Sequence, residues 1–121
     1  VLVVAAALAL ALAAGEAHAA PVGDPGRGRD LYVERCVLCH GSSGQGWDWS
    51  QKVARPPVDV PDLAQVAPQR SDAYLFAIIK DGGEAVARTR FMPPFGFQLS
   101  DGEVWDIVAY VRALSRTGTP R

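Results

Sequence analysis

The sequence predicts an all-α fold of three or more helices. Apolar residues recur at helical spacing in two long segments, helix-start and helix-stop residues bracket those segments, and no run alternates convincingly as a strand. The 121 residues suffice for one compact domain. Apolar side chains make up 49% of the chain, so a packed core is expected rather than disorder. A formal net charge of -1 leaves no basic footprint for nucleic acid. No P-loop, dinucleotide fingerprint or Gly-x-Ser-x-Gly elbow is present.

Val1 to Ala14 is an unbroken run of Val, Leu and Ala, followed by Ala17-His18-Ala19 with small residues where a signal peptidase reads. Residues 1–19 therefore read as a secretory signal peptide whose charged start lies upstream of the sequence. The alternative is an uncleaved membrane anchor facing the periplasm, for which 14 apolar residues are short. Cleavage after Ala19 removes Glu16 and leaves acidic and basic side chains balanced in residues 20–121. Export implies an oxidising compartment.

Pro21 to Gly26 is a lead-in, with Asp24 as an N-cap and Pro25 at the first helical position. A first helix is expected from about Gly26 to Leu38. Gly41 to Val60, rich in Gly and Pro, reads as loop, and Pro61-Asp62-Leu63 as the start of a short helical turn. Ser71 can cap a second helix carrying Leu75, Ile78 and Ile79, which Asp81-Gly82-Gly83 ends. Glu84 to Gln98 is a loop. In the last helix Ser100 and Glu103 form a capping box, Leu99 and Val104 a hydrophobic staple. Val104, Ile107, Val108, Val111 and Leu114 draw one apolar stripe that ends near Ser115, leaving a loose tail.

Cys36-Val37-Leu38-Cys39-His40 carries the chemistry. Cys-x-x-Cys-His is the signature of covalent haem attachment. Two thiols add across the two vinyl groups of one haem, and two intervening residues keep both sulfurs on one side of the ring. The adjacent His40 then lies beneath the iron as its proximal ligand. Closed structural zinc needs four ligands, and residues 20–121 hold two Cys and one His. A redox dithiol calls for a βαβ setting, and a disulfide closing so short a loop adds little stability.

Met92 is the one methionine of the chain, and His40 the one histidine of residues 20–121. A thioether is a soft ligand that favours Fe(II), so Met92, stiffened by Pro93 and Pro94, is the candidate distal ligand. The competing role is core packing, a common use of Met. Lys52, Lys80 and water are the other candidates for the sixth position.

Together these residues resemble a class I c-type cytochrome of the small bacterial monohaem kind, over about Gly26 to Leu114. Gly28 and Tyr32 before the cysteines, Gly41 after His40, Met92-Pro93, and Leu99 to Val111 all fall on motifs of that family. The resemblance implies a helical fold wrapped around one covalent haem c, with N- and C-terminal helices crossing. It implies that Gly28 and Tyr32 pack against the last helix, where Ile107 and Tyr110 match. It also implies that a proline carbonyl, of Pro56, Pro57 or Pro61, accepts from the proximal histidine. Trp47, Trp49, Arg55 and Arg70 are candidate propionate contacts, with ordinary packing as the alternative.

With both axial positions filled, the iron changes oxidation state without binding substrate, which suits a periplasmic carrier of single electrons rather than an enzyme. Its partners are then redox proteins, met through an apolar rim of Phe91, Phe95 and Phe97, and the chain is a monomer or a subunit of a redox complex. The alternatives are a haem subunit of a larger oxidoreductase and a sensor or enzyme with a labile sixth ligand.

Overall fold

The structure is a computed structural model that describes residues 21–46 and 57–116, with backbone alone at Arg116. The expectations for the signal segment, Trp47, Trp49, Lys52, Arg55, Pro56 and the end of the tail lie outside these residues. Every regular element among the described residues is helical. In chain order they are α1 (Pro25–Arg35), α2 (Val37–His40), α3 (Leu63–Val66), α4 (Asp72–Asp81) and α5 (Asp101–Arg116). Short 3-10 turns occupy Ala67–Gln69 and Glu84–Val86. No described helix is long and apolar enough to cross a membrane.

Local chemistry sets the helix starts. The Asp24 carboxylate accepts from the backbone N–H groups of Gly26 and Arg27 at 2.7 and 3.2 Å, and Pro25 begins α1. Ser71 Oγ accepts from Tyr74 N at 3.1 Å at the head of α4. Asp62 accepts from Ala64 N at 2.9 Å at the head of α3. At α5 the capping box forms as expected: Glu103 Oε2 accepts from Ser100 N at 2.8 Å, and Glu103 N reaches Ser100 Oγ at 3.4 Å.

One boundary differs from expectation. α1 stops at Arg35, and Cys36, at φ -115° and ψ -29°, is at once its C-cap and the N-cap of α2. Cys36 N still bonds the Tyr32 carbonyl at 2.8 Å, so the chain stays helical in direction before α2 departs from it. That change of direction returns Gly41 to α1, where its carbonyl accepts the Tyr32 hydroxyl at 2.7 Å.

α5 is the axis of the core and touches α1, α3, α4 and the turn at Ala67–Gln69. Its residues Val104, Ile107, Val108 and Val111 are buried with Leu75 and Ile79 of α4, Leu99 and Ala67. Full burial of a side chain such as Ile107 contributes about 1.5–3 kcal/mol. Phe76 of α4 stacks on Trp105 of α5, with ring centroids 4.5 Å apart. Arg112 ties α5 to the start of α4 and the chain before it, pairing with Asp72 at 2.7 Å and donating to the carbonyls of Ala67 and Arg70.

The α1–α5 crossing is closest at Gly28. A Cβ there would lie 1.9 Å from the Asp106 carbonyl oxygen. Beside it the Tyr32 and Tyr110 rings meet at 5.1 Å, so the expected partners of Gly28 and Tyr32 on the last helix are in place. Asp106 is buried, and its carboxylate accepts from Asp24 N at 2.6 Å and from Arg27 Nε at 3.0 Å. Burial pushes this carboxyl up, but the Asp24 N–H and the Arg27 guanidinium outweigh burial and hold it below its ordinary 3.8.

Gly28→Ala forces the two backbones apart and is expected to cost about 2–3 kcal/mol, read as a lower urea midpoint with unchanged slope. Because the folded Asp106 value lies below the unfolded one, its contribution is complete above the unfolded value and is lost as pH falls through the folded value. The stability gap between wild type and Asp106→Asn should therefore be wide at neutral pH and narrow in acid, as urea unfolding at both would show.

Candidate functional site

The turn after α1 presents two thiols and an imidazole at one short helix, with Cys36 as the N-cap of α2 and Cys39 and His40 inside it. Cys36 and Cys39 are both free and half-buried. Burial pushes the Cys36 thiol up to about 12, against the lowering effect of Arg35, so it stays protonated at neutral pH. The His40 ring is pressed into the protein. Burial holds its pKa down at about 4, leaving a neutral imidazole, the form that binds a metal.

Beyond the Tyr32 bond to Gly41, the chain after His40 is held largely through its backbone. Gly41 has φ 78° and ψ 163°, a region open essentially to glycine. The turn closes as Gly46 N donates to the His40 carbonyl at 2.8 Å, and Leu63 N bonds the Gly44 carbonyl at 2.7 Å. The start of α3 is thereby pinned to the segment that follows the cysteines.

His40 Nδ1 is buried without a hydrogen-bond partner among the described residues. Neither Pro57 nor Pro61 supplies the carbonyl expected there, and Pro56 is outside the described residues. An unsatisfied buried nitrogen costs about 1–3 kcal/mol, so this ring is built for a partner beyond the described side chains. Among the described residues no three His, Cys, Asp or Glu groups come together to hold a bare ion. The donor set suits a metal whose equatorial ligands arrive with it, as in a porphyrin, and which needs only axial ligands from the protein.

Met92 sits in a loop fastened to the end of α4. Phe95 N and Gly96 N bond the carbonyls of Ile79 and Lys80 at 3.0 and 2.9 Å, and the Met92 carbonyl accepts from Gly83 N at 2.9 Å. The Met92 side chain is half-buried and packs against the core cluster, as does Phe95. Phe91 and Phe97 are exposed, at 45% and 76%. Of the other ligand candidates, Lys80 pairs with Asp101 at 2.8 Å, which raises its pKa and keeps it an ammonium without a free lone pair. The Arg70 guanidinium lies 5.0 Å over the Tyr74 ring.

Three features escaped the sequence reading. The Tyr32–Gly41 hydrogen bond was foreshadowed only by the rule that a buried tyrosine hydroxyl needs a partner. Asp106, inside an amphipathic helix, looks in sequence like any solvated acid. The contact of Gly82 and Gly83 with the Met92 loop was hidden behind their role as a helix stop. Two open surface cavities, one beside Pro68 and Arg112 and one between Asp30 and Gly102, include neither the cysteines, His40 nor Met92.

Tyr32→Phe keeps the ring contact with Tyr110 and removes the donor to Gly41. It is expected to cost about 1–2 kcal/mol in urea unfolding, because the buried carbonyl is left without its partner.

A family model described as cytochrome C oxidase, cbb3-type, subunit III matches residues 23–111. Thiosulfate dehydrogenase of Stutzerimonas stutzeri (strain A1501) is 30% identical over 100 residues, an alignment that covers 81% of this chain and 30% of that protein. The chain thus spans under a third of the length of that relative. The family match runs from the lead-in of α1 to Val111 of α5 and takes in the cysteine segment, the Met92 loop and the helix crossing at once. The chain belongs to the c-type cytochromes, in the family of the cbb3-type cytochrome c oxidase subunit III.

Proposed function

We propose that this protein is a periplasmic carrier of single electrons, with one haem c bound covalently at Cys36 and Cys39 and held axially by His40 and Met92. Membership of the c-type cytochromes carries haem-based electron transfer; the observation that carries the site is the half-buried, neutral His40, its Nδ1 wholly covered, on the same short turn as two free thiols. The haem supplies an iron that changes oxidation state by one electron.

The residues of the chain do the rest. Cys36 and Cys39 would hold the group through thioethers, each S–H adding across a vinyl group with sulfur on one carbon and hydrogen on the other, so that no oxidant would be consumed. His40 offers a lone pair without first losing a proton. Met92 would supply the second iron ligand, a soft sulfur of the kind that favours the reduced state. Phe91 and Phe97, exposed beside Met92, suit the small, weak interface of a passing redox partner. In this reading residues 1–19 are a cleaved signal peptide and residues 20–121 the mature cytochrome.

A second reading, a haem subunit or domain of a larger oxidoreductase, is favoured by two observations. The matching family model describes an oxidase subunit, and the chain aligns to only 30% of thiosulfate dehydrogenase. Gel filtration of cell extract separates the two readings, since persistent co-elution with an enzyme would sink the free carrier.

Protein exported alongside a haem-attachment system should show an intact mass of residues 20–121 plus one haem. Its spectrum should be that of a low-spin c-type haem, with a weak near-infrared sulfur-to-iron band when oxidised. In Met92→Ala that band should vanish and carbon monoxide should bind the reduced form. An unchanged spectrum in that variant removes Met92 from the iron, and absence of haem despite export overturns the site.

A further inference from the structure

The end of α4 is joined to the Met92 loop by backbone hydrogen bonds. Gly82, at φ 84° and ψ 172°, lies in a region essentially closed to residues with a side chain. Gly83 has an ordinary φ of -67°, so conformational freedom does not explain why glycine stands there. Space does. A Cβ on Gly83 would lie 2.1 Å from the Thr89 carbonyl oxygen and 3.3 Å from Met92 Cβ. One on Gly82 would lie 3.0 Å from Pro94 N and 3.1 Å from the Met92 carbonyl oxygen. Both glycines are buried.

Gly83 is also a hydrogen-bonding hub. Its N–H donates to the Met92 carbonyl at 2.9 Å, and its own carbonyl accepts from Arg88 N at 2.8 Å and Val86 N at 3.3 Å. The loop from Glu84 to Met92 thus leaves from Gly83 and returns to it. Beyond Met92, Phe95 and Gly96 bond the last carbonyls of α4. Met92 therefore stands between two anchors on one helix end, and one of them is the backbone of Gly83 itself.

We infer that Gly83, supported by Gly82, is a positioning residue for Met92: the missing side chain lets the Met92 loop close on α4 and fixes the root of the thioether. The inference rests on the reading of Met92 as the distal ligand. The neighbours of an added methyl group are a backbone carbonyl and the Met92 Cβ, neither of which is the free end of a flexible side chain. Relief has to come from moving the segment that carries the ligand. Thioether ligation is weak, so a displaced root exchanges a bound sulfur for an open position rather than dragging the iron along.

The test compares Gly83→Ala, Met92→Ala and Val104→Ala as haem-loaded proteins. Val104→Ala opens a cavity in the core on α5 and reports general destabilisation away from the loop. Three quantities are read: the near-infrared sulfur-to-iron band, the reduction potential and carbon monoxide binding to the reduced form. Gly83→Ala should lose the band, show a lowered potential and bind carbon monoxide, as Met92→Ala does, while Val104→Ala keeps the wild-type values. If Gly83→Ala keeps band and potential while Met92→Ala loses them, Gly83 is not a positioning residue and the inference falls alone. If Val104→Ala loses the band as well, the effect is general destabilisation and the inference falls. If Met92→Ala keeps the band, the distal-ligand reading fails and takes the inference with it. Should Gly83→Ala yield no haem-loaded protein, Gly82→Ala decides by the same readouts.

Discussion

At Gly28 the backbones of α1 and α5 come so close that a Cβ would lie 1.9 Å from the Asp106 carbonyl oxygen. Much of the geometry follows from that approach. It brings Tyr32 against Tyr110, and Tyr32 in turn reaches back to the Gly41 carbonyl just past His40. It also brings Asp24, the cap of α1, within reach of Asp106, so the start of one helix is fastened to the middle of the other. The cysteine segment hangs from α1, and through Tyr32 its far end is tied to the same crossing. A short turn with no buried side chain of its own thereby gains a fixed orientation.

The two proposed axial ligands are held by different means. His40 is positioned at the C-terminal end of a four-residue helix, by Tyr32 acting on Gly41 and by Gly46 acting on its own carbonyl. Met92 is positioned by the Ile79 and Lys80 carbonyls at the end of α4, groups that a helix C-terminus leaves over, and by the Gly83 amide just beyond it. Both arrangements use glycine in the extended positive-φ region, Gly41 after the histidine and Gly82 before the methionine loop. Backbone-to-backbone restraint suits a redox centre, because it leaves little for the protein to reorganise when the charge on the iron changes.

The charged groups serve the frame more than the site. Asp106 with Arg27, Arg112 with Asp72, and Lys80 with Asp101 each join separate elements. Around His40 and Cys36 the governing influence is burial, which keeps the imidazole neutral and the thiol protonated. Such surroundings suit an uncharged ligand and a covalently tethered apolar ring.

The sequence by itself determined the all-α class, the capping of α4 and α5 and the apolar stripe of α5, and it pointed to Cys36, Cys39, His40 and Met92 as the proposed haem-binding set. Those are local properties: helical period, cap spacing and the identity of particular side chains do not depend on what lies across the fold. Only the tertiary structure decided the break at Cys36, the burial of Asp106, the engagement of Lys80 by Asp101 and the packing of Gly83 against the Met92 loop. Each depends on residues far apart in sequence meeting in space. Gly28 shows the boundary between the two. Its place relative to the cysteines could be read from the chain, but the 1.9 Å that makes glycine necessary there exists only once α5 lies across it.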